Sequence, residues 1–273
     1  MRSLTRPLAL LLLLAGVAHA DGFPHDESPY QLSAPVDAPL ITGGAILWIL
    51  PLLLVSPTAQ GPTCGSMATP CDINGLNALD RWAVGNHDSS MRIVADVAYA
   101  IPMIGFFTLD MLDVGLADRA WLIDFAVLAE SQFLDGVLDE LVRRGFRRPR
   151  PFLFEPDAYP SERNKAESTF SFYSGHTASM FNFAAGISYT YTLRHPGSRW
   201  NWAVWTTLLA LSSIEPVARV LSGDHFPTDV MVGALIGTGV GILIPALHRR
   251  APQISIGPSV EGGRTSVMLT GRF

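Results

Sequence analysis

The sequence predicts an all-α protein, a bundle of about six helices followed by a short C-terminal β-hairpin. Three observations carry this. Apolar stretches of helical length recur at 40–57, 91–112, 119–142, 170–193, 200–218 and 227–247. Apolar residues make up 48% of the 273-residue chain and mean hydropathy is +0.27, ample material for a core. The last twenty residues change character, with β-branched residues in partial period-two alternation around Gly262-Gly263.

The elements divide the chain into four parts. Residues 1–20 read as a secretory signal: Arg2 and Arg6, the apolar run Leu8 to Leu14, then Ala18-His19-Ala20 before Asp21. Residues 21–39 are rich in proline and read as an extended linker. Residues 40–250 form the bundle and 251–273 the hairpin tail. Small residues are frequent in the last three helices, as close helix packing in lipid requires. The third helix differs. Asp124, Glu130, Gln132, Asp135, Asp139 and Glu140 interrupt it, so it must line the bundle interior or face water.

Three polar stretches break this apolar background. In RVLSGDHFPTDV, residues 219–230, Arg219 can grip an anion through two parallel hydrogen bonds. His225 can attack or shuttle a proton, and Asp229 can hold the other imidazole nitrogen. In FYSGHTASMFNFAAG, residues 172–186, Ser174 is a preferred helix N-cap, Gly175 lets a ligand approach the backbone, and His176 lies in the first turn. A helix N-terminus there attracts anions. In LVRRGFRRPRPF, residues 141–152, five arginines fall within positions 143–150 of a chain whose formal charge is −5. The positive charge is therefore local, and no nucleic-acid partner is expected.

Together these stretches resemble the type-2 phosphatidic acid phosphatase / vanadium-dependent haloperoxidase superfamily. That family carries Lys-x6-Arg-Pro, Pro-Ser-Gly-His and Ser-Arg-x5-His-x3-Asp elements in this order. Here they read Arg143-x6-Arg150-Pro151, Tyr173-Ser174-Gly175-His176 and Ala218-Arg219-x5-His225-x3-Asp229. Arg143 replaces Lys in a chain with one lysine, Lys165, and 18 arginines. Tyr173 and Ala218 remove a rigid residue and a hydroxyl beside the site. The resemblance implies that His225 is the nucleophile, forming a phosphohistidine, with Asp229 orienting it. His176 would protonate the leaving alkoxide and then activate water. Arg143, Arg150 and Arg219 would clamp the phosphoryl oxygens, helped by Ser174 and Gly175. Three arginines and a helix N-terminus can neutralise a transferring phosphoryl group without metal, so no metal and no cofactor are expected.

The implied activity is hydrolysis of a phosphate monoester or pyrophosphate, with a lipid phosphate favoured because apolar helices would deliver a membrane-bound headgroup. The alternatives are a haloperoxidase that holds vanadate, a periplasmic acid phosphatase for soluble esters, and a non-catalytic envelope protein that binds phospholipid headgroups. The expected location is a bacterial-type cell envelope, in the inner membrane with the site facing the periplasm. Cys64 and Cys71, the only cysteines, suggest a disulfide and an oxidising compartment. The basic segments 194–199 and 248–250 suggest the cytoplasmic side. A cleaved signal followed by six crossings would put the motif loops in the cytoplasm. The simplest reconciliation is that residues 40–57 do not cross; the others are an uncleaved signal with both N-terminal segments folded back, and a periplasmic bundle that spans nothing. Nothing in the sequence sets the oligomeric state.

Overall fold

The computed structural model describes residues 27–54, 64, 71–115 and 118–250, and the backbone alone of 51–54, 101–103, 106–107, 253–261 and 264–272. The signal at 1–20 lies outside the described residues, and the tail at 251–273 is described only as the backbone of two extended segments. The bundle takes up the described residues through 250. Those residues form eight helices: α1 (Ala34–Leu54), α2 (Ala78–Arg81), α3 (Ser89–Val114), α4 (Arg119–Phe146), α5 (Gly175–Arg194), α6 (Asn201–Ser212), α7 (Ile214–Leu221) and α8 (Pro227–Leu247). The protein is all-α in this region.

Three boundaries differ from the sequence reading, each for a local reason. Helix α1 starts six residues into what reads as linker. Pro35 falls in the first turn, where a missing N–H leaves nothing unsatisfied. The Asp37 carboxylate accepts the Ser33 N–H, and the Ser33 carbonyl accepts from Val36 and Asp37, each at 2.8 Å. Helix α5 starts at Gly175 rather than 170, because preceding N–H groups are used elsewhere. Ser171 N donates to the Arg148 carbonyl (3.0 Å) and Ser174 N to the Asp229 carbonyl (3.1 Å). The apolar stretch at 200–218 divides at Ser213 into α6 and α7. Pro216 has no N–H to return to Ser212, so the regular ladder cannot run through.

Helix α5 is the axis of the bundle, with α8, α4, α6 and α3 around it. Leu128, Met180, Phe183, Ala184, Ile187 and Leu208 form the main apolar core between them. The α5–α8 approach is very close. A Cβ built on Gly237 would lie 2.0 Å from the Ala178 carbonyl oxygen, and one on Gly241 2.4 Å from that of Asn182. Any larger residue on this face of α8 would push the helices apart. Helix α1 runs lengthwise against α4: Gly44 meets Phe133, and Trp48 covers Gly136.

The bundle is polar inside and apolar outside. Asp124, Glu130, Gln132, Asp135 and Asp139 of α4 are all buried. Ile46, Leu47, Ile93, Ile104, Trp202, Leu235, Leu243 and Leu247 are exposed. Residues 201–221 and 227–247 are long and apolar enough to cross a membrane, by length and composition.

Candidate active site

The site lies where four segments converge: the C-terminal turn of α4, the 147–174 loop, the first turn of α5, and residues 222–226 between α7 and α8. That last turn is tight. Gly223 has φ +74°, and a Cβ there would lie 2.0 Å from the Asn86 carbonyl oxygen. Only glycine fits both conditions. Its carbonyl accepts from Phe152 N at 3.2 Å, which ties the turn to the arginine-rich loop. Phe226 then caps α8, Pro227 opens it, and the Asp229 carboxylate accepts the Phe226 N–H at 2.9 Å.

His225 is buried and pinned at one nitrogen. Its Nδ1 lies 2.8 Å from the Ser171 carbonyl oxygen, which can only accept, so Nδ1 carries the proton. Nε2 is left with its lone pair, 3.5 Å from the Arg150 guanidinium. Asp229 is not the direct orienting partner that the motif implies. Its Oδ2 is 3.8 Å from Nδ1 and accepts instead from the Ser171 hydroxyl at 2.5 Å. The carboxylate thus acts on the imidazole through space and through the residue whose carbonyl holds it. Arg148 completes this arrangement. It donates to Asp229 at 2.5 Å, to Thr228 at 2.9 Å and to Asp80 at 2.7 Å, and its guanidinium lies over the Phe226 ring.

Two cavities meet at the histidines. An inner one of about 240 Å³ is walled by Trp48, Tyr99, Gln132, Asp135, Asp139, Arg143 and Gly175. An outer one of about 270 Å³ is walled by Arg92, Phe152, Lys165, Arg219 and Asp224. Arg150, His176 and His225 line both. These three groups therefore stand at the passage between an interior chamber and a basic outer vestibule.

The arginines are not equivalent. Arg150 donates to main-chain carbonyls of Glu167 and Asp224, each at 2.9 Å, and among the described residues no side-chain carboxylate bonds it. Arg219 is held by Glu215 (2.9 Å) and Asp96 (2.8 Å), with Asp224 at 3.6 Å. Arg143 is bonded to Glu140 and lies 3.6 Å from Asp139. Arg92 meets both oxygens of Asp224 and stacks over the Tyr159 ring at 3.7 Å. Burial favours the neutral Asp224 carboxyl, but the Arg150 and Arg92 charges outweigh it and hold the group below the usual carboxylate range. Burial also lowers the His225 pKa; Arg150 adds to this and Asp229 opposes it. His176 is lowered to about 3 by burial and then by the nearby charges of Arg219 and Arg150. Both shifts favour the neutral imidazole.

The structure therefore brings His225, His176, Arg150, Arg219, Arg143 and Gly175 to the cavity walls. Ser174 is elsewhere. It is fully buried, and its hydroxyl caps α5 through Thr177. Asp224, beside His225 in the chain, is the anion that positions Arg92 and Arg219. Arg148, Arg92, Ser171 and Trp48 join the site from separate parts of the chain. Arg148 carried a signal as a member of the arginine run; Arg92 and Trp48 sit inside ordinary apolar helices and carried none. Cys64 and Cys71 are joined by a disulfide, with Cα atoms 4.9 Å apart. It packs on Phe152, Leu153 and Ala158, at the site's end of the bundle.

Residues 123–253 match the family model of the PAP2 superfamily, and all three motifs fall inside that range. No curated protein matches the chain. Among solved structures the chain is similar to a transmembrane PAP2-type phosphatidylglycerolphosphate phosphatase from Bacillus subtilis, at 16% identity and a TM-score of 0.46, over 90% of this chain and 96% of that one.

Proposed function

We propose that this chain, with its PAP2 superfamily segment at residues 123–253, is a phosphatase acting on a phosphate monoester or pyrophosphate of a membrane lipid. One observation carries the reading: His225 Nε2, its proton excluded by the Ser171 contact at Nδ1, opens onto the passage shared with Arg150 and His176. Nε2 attacks phosphorus; a P–N bond forms and the P–O bond to the leaving group breaks. His176 gives the leaving oxygen its proton. It then takes one from water, which attacks phosphorus and breaks the P–N bond.

The protonation states fit this sequence once substrate is present. The unliganded site gathers Arg150, Arg219 and Arg92 around neutral imidazoles. A phosphate dianion offsets those charges and raises the His176 pKa, so the acid is made by the substrate it serves. The arginines and the α5 N-terminus supply charge neutralisation to the equatorial oxygens without a metal ion. Arg150 is the principal clamp, because no side-chain carboxylate bonds it. Arg143 and Arg219 are already bonded to carboxylates and contribute field and shape.

A lipid substrate accords with the apolar exterior and with an inner chamber walled partly by Trp48 of α1. The disulfide at the site's end favours an oxidising, periplasmic side for the vestibule. Helix α1 starts at the opposite end, where Tyr30 pairs with Arg249. A membrane around the apolar belt thus puts Tyr30 and the disulfide on different faces. In that arrangement α1 crosses with the rest of the bundle.

The test is phosphate release by the full chain in detergent across phosphatidate, phosphatidylglycerolphosphate, an isoprenyl pyrophosphate and a soluble chromogenic ester, with His225→Ala as control. Release from lipid substrates that disappears in the variant supports the reading. No release from any of them sinks it.

A further inference from the structure

At the C-terminal end of α8, about 30 Å along that helix from His225, a second histidine stands among acids. His248 Nε2 lies 3.3 Å from Asp37 Oδ1 and 3.5 Å from Glu130 Oε2. The three ligand-type atoms fall within 4.8 Å of one another. They come from α1, α4 and the end of α8, so the cluster joins three elements.

We propose that Asp37, Glu130 and His248 bind a divalent cation of borderline character, with Zn²⁺ the best fit to one imidazole and two carboxylates. Four observations point there. His248 Nδ1 lies 2.8 Å from the Ile244 carbonyl oxygen and donates to it, which turns Nε2, the nitrogen free to ligate a metal, toward the cluster. This is the support that a metal-bound imidazole ordinarily has. Asp37 Oδ1 and Glu130 Oε2 are acceptors as well, so three acceptors face one another. Glu130 Oε2 is the independent sign: its residue is 2% exposed, and the atom accepts no hydrogen bond. A buried carboxylate oxygen without a donor is a place where a cation can sit.

The spacing is compatible with a bound metal ion. A charged N–H···O bond draws its atoms to about 2.7–2.9 Å. Two ligands bound tetrahedrally at about 2.0–2.1 Å stand about 3.3–3.4 Å apart. The observed 3.3 and 3.5 Å match ligand–ligand edges. Three protein ligands leave one position for water. The chemical consequence is structural: the ion would pin the first turn of α1 to the bundle. It lies far from the phosphoryl site and is independent of the phosphatase reading.

The test uses the full chain purified in detergent without a histidine tag. Zn²⁺ content is measured after dialysis against limiting Zn²⁺, and Co²⁺ is then substituted as a spectroscopic probe. One ion per chain is expected, with tetrahedral d–d absorption from the Co²⁺ form. His248→Ala and, separately, Glu130→Gln should each lower ion affinity at least tenfold. His248→Ala should leave phosphate release unchanged. Chelation should lower the thermal midpoint of the wild type and leave that of His248→Ala where it is. Absence of ion from the wild type, or equal retention by both variants, would overturn the proposal and leave an imidazole hydrogen-bonded between acids. Because Glu130→Gln preserves shape, loss of folding in His248→Ala alone does not remove the test.

Discussion

Helix α8 carries a histidine just beyond each end, and the two differ in one respect. His225 and His248 each place Nδ1 2.8 Å from a main-chain carbonyl, and each turns Nε2 to the side chains around it. At the first, Nε2 looks toward Arg150. At the second, it looks toward Asp37 and Glu130. The main-chain anchor is the same and the sign of the surrounding charge is opposite. Cationic surroundings gather an anion whose phosphorus the lone pair can attack. Anionic surroundings gather a cation that the lone pair can ligate. An imidazole has no fixed role; the neighbouring charges decide what it meets.

The contrast is broken most sharply by removing each histidine in turn. His225→Ala is expected to reduce turnover by at least about 10³-fold, whereas His248→Ala leaves it near wild type. Equal losses in phosphate-release assays would erase the distinction between the two ends. His176→Ala should lower kcat by about 10²–10⁴-fold. That loss should shrink with a nitrophenyl leaving group, which departs without a proton. A loss independent of the leaving group would remove His176 from the acid role.

Arg148→Ala tests the support behind His225. It leaves Asp80 and Asp229, both fully buried, without their shared cation. A destabilisation of about 3 kcal/mol is expected, measured as a fall in thermal midpoint, with activity lost alongside. An unchanged midpoint would show that the pairs are not needed for folding.

The smallest effect is on pH dependence. The nucleophile must be neutral, and burial with Arg150 lowers the His225 pKa. Neutral imidazole therefore persists to lower pH than in a free side chain. The acid limb of kcat/KM should fall below the ordinary imidazole value of about 6.5. Asp229 raises that pKa, so Asp229→Asn should move the limb further toward acid. A limb above the ordinary value, or a shift toward base in the variant, would contradict the electrostatics.

Much of the site was legible in the chain because phosphoryl chemistry uses short local spacings. Ser174 ahead of an apolar run marks a helix start, and α5 begins there. Pro227 and Asp229 mark the start of α8 in the same way. Other parts were illegible. Ser174 has the residue type of an anion donor, yet its hydroxyl closes the helix cap. Asp224 looked like filler because its partners, Arg92 and Arg219, are brought to it by packing of α3 and α7. Trp48 reads as one apolar residue among many until α1 lies along α4. Helix α1 itself read partly as linker, since proline in a first turn and proline in an extended chain are the same letter.

By itself the sequence determined the helical class, the three motifs in their order, and the residue types able to transfer a phosphoryl group. These depend on local periodicity, capping and fixed spacings, which the chain carries within a turn or two of each residue. Only the tertiary structure decided which charges surround each imidazole. Arg150 reaches His225 across 75 positions and Asp37 reaches His248 across 211. Such contacts arise when helices pack, and electrostatic environment acts over ångströms in space, with no counterpart in distance along the chain.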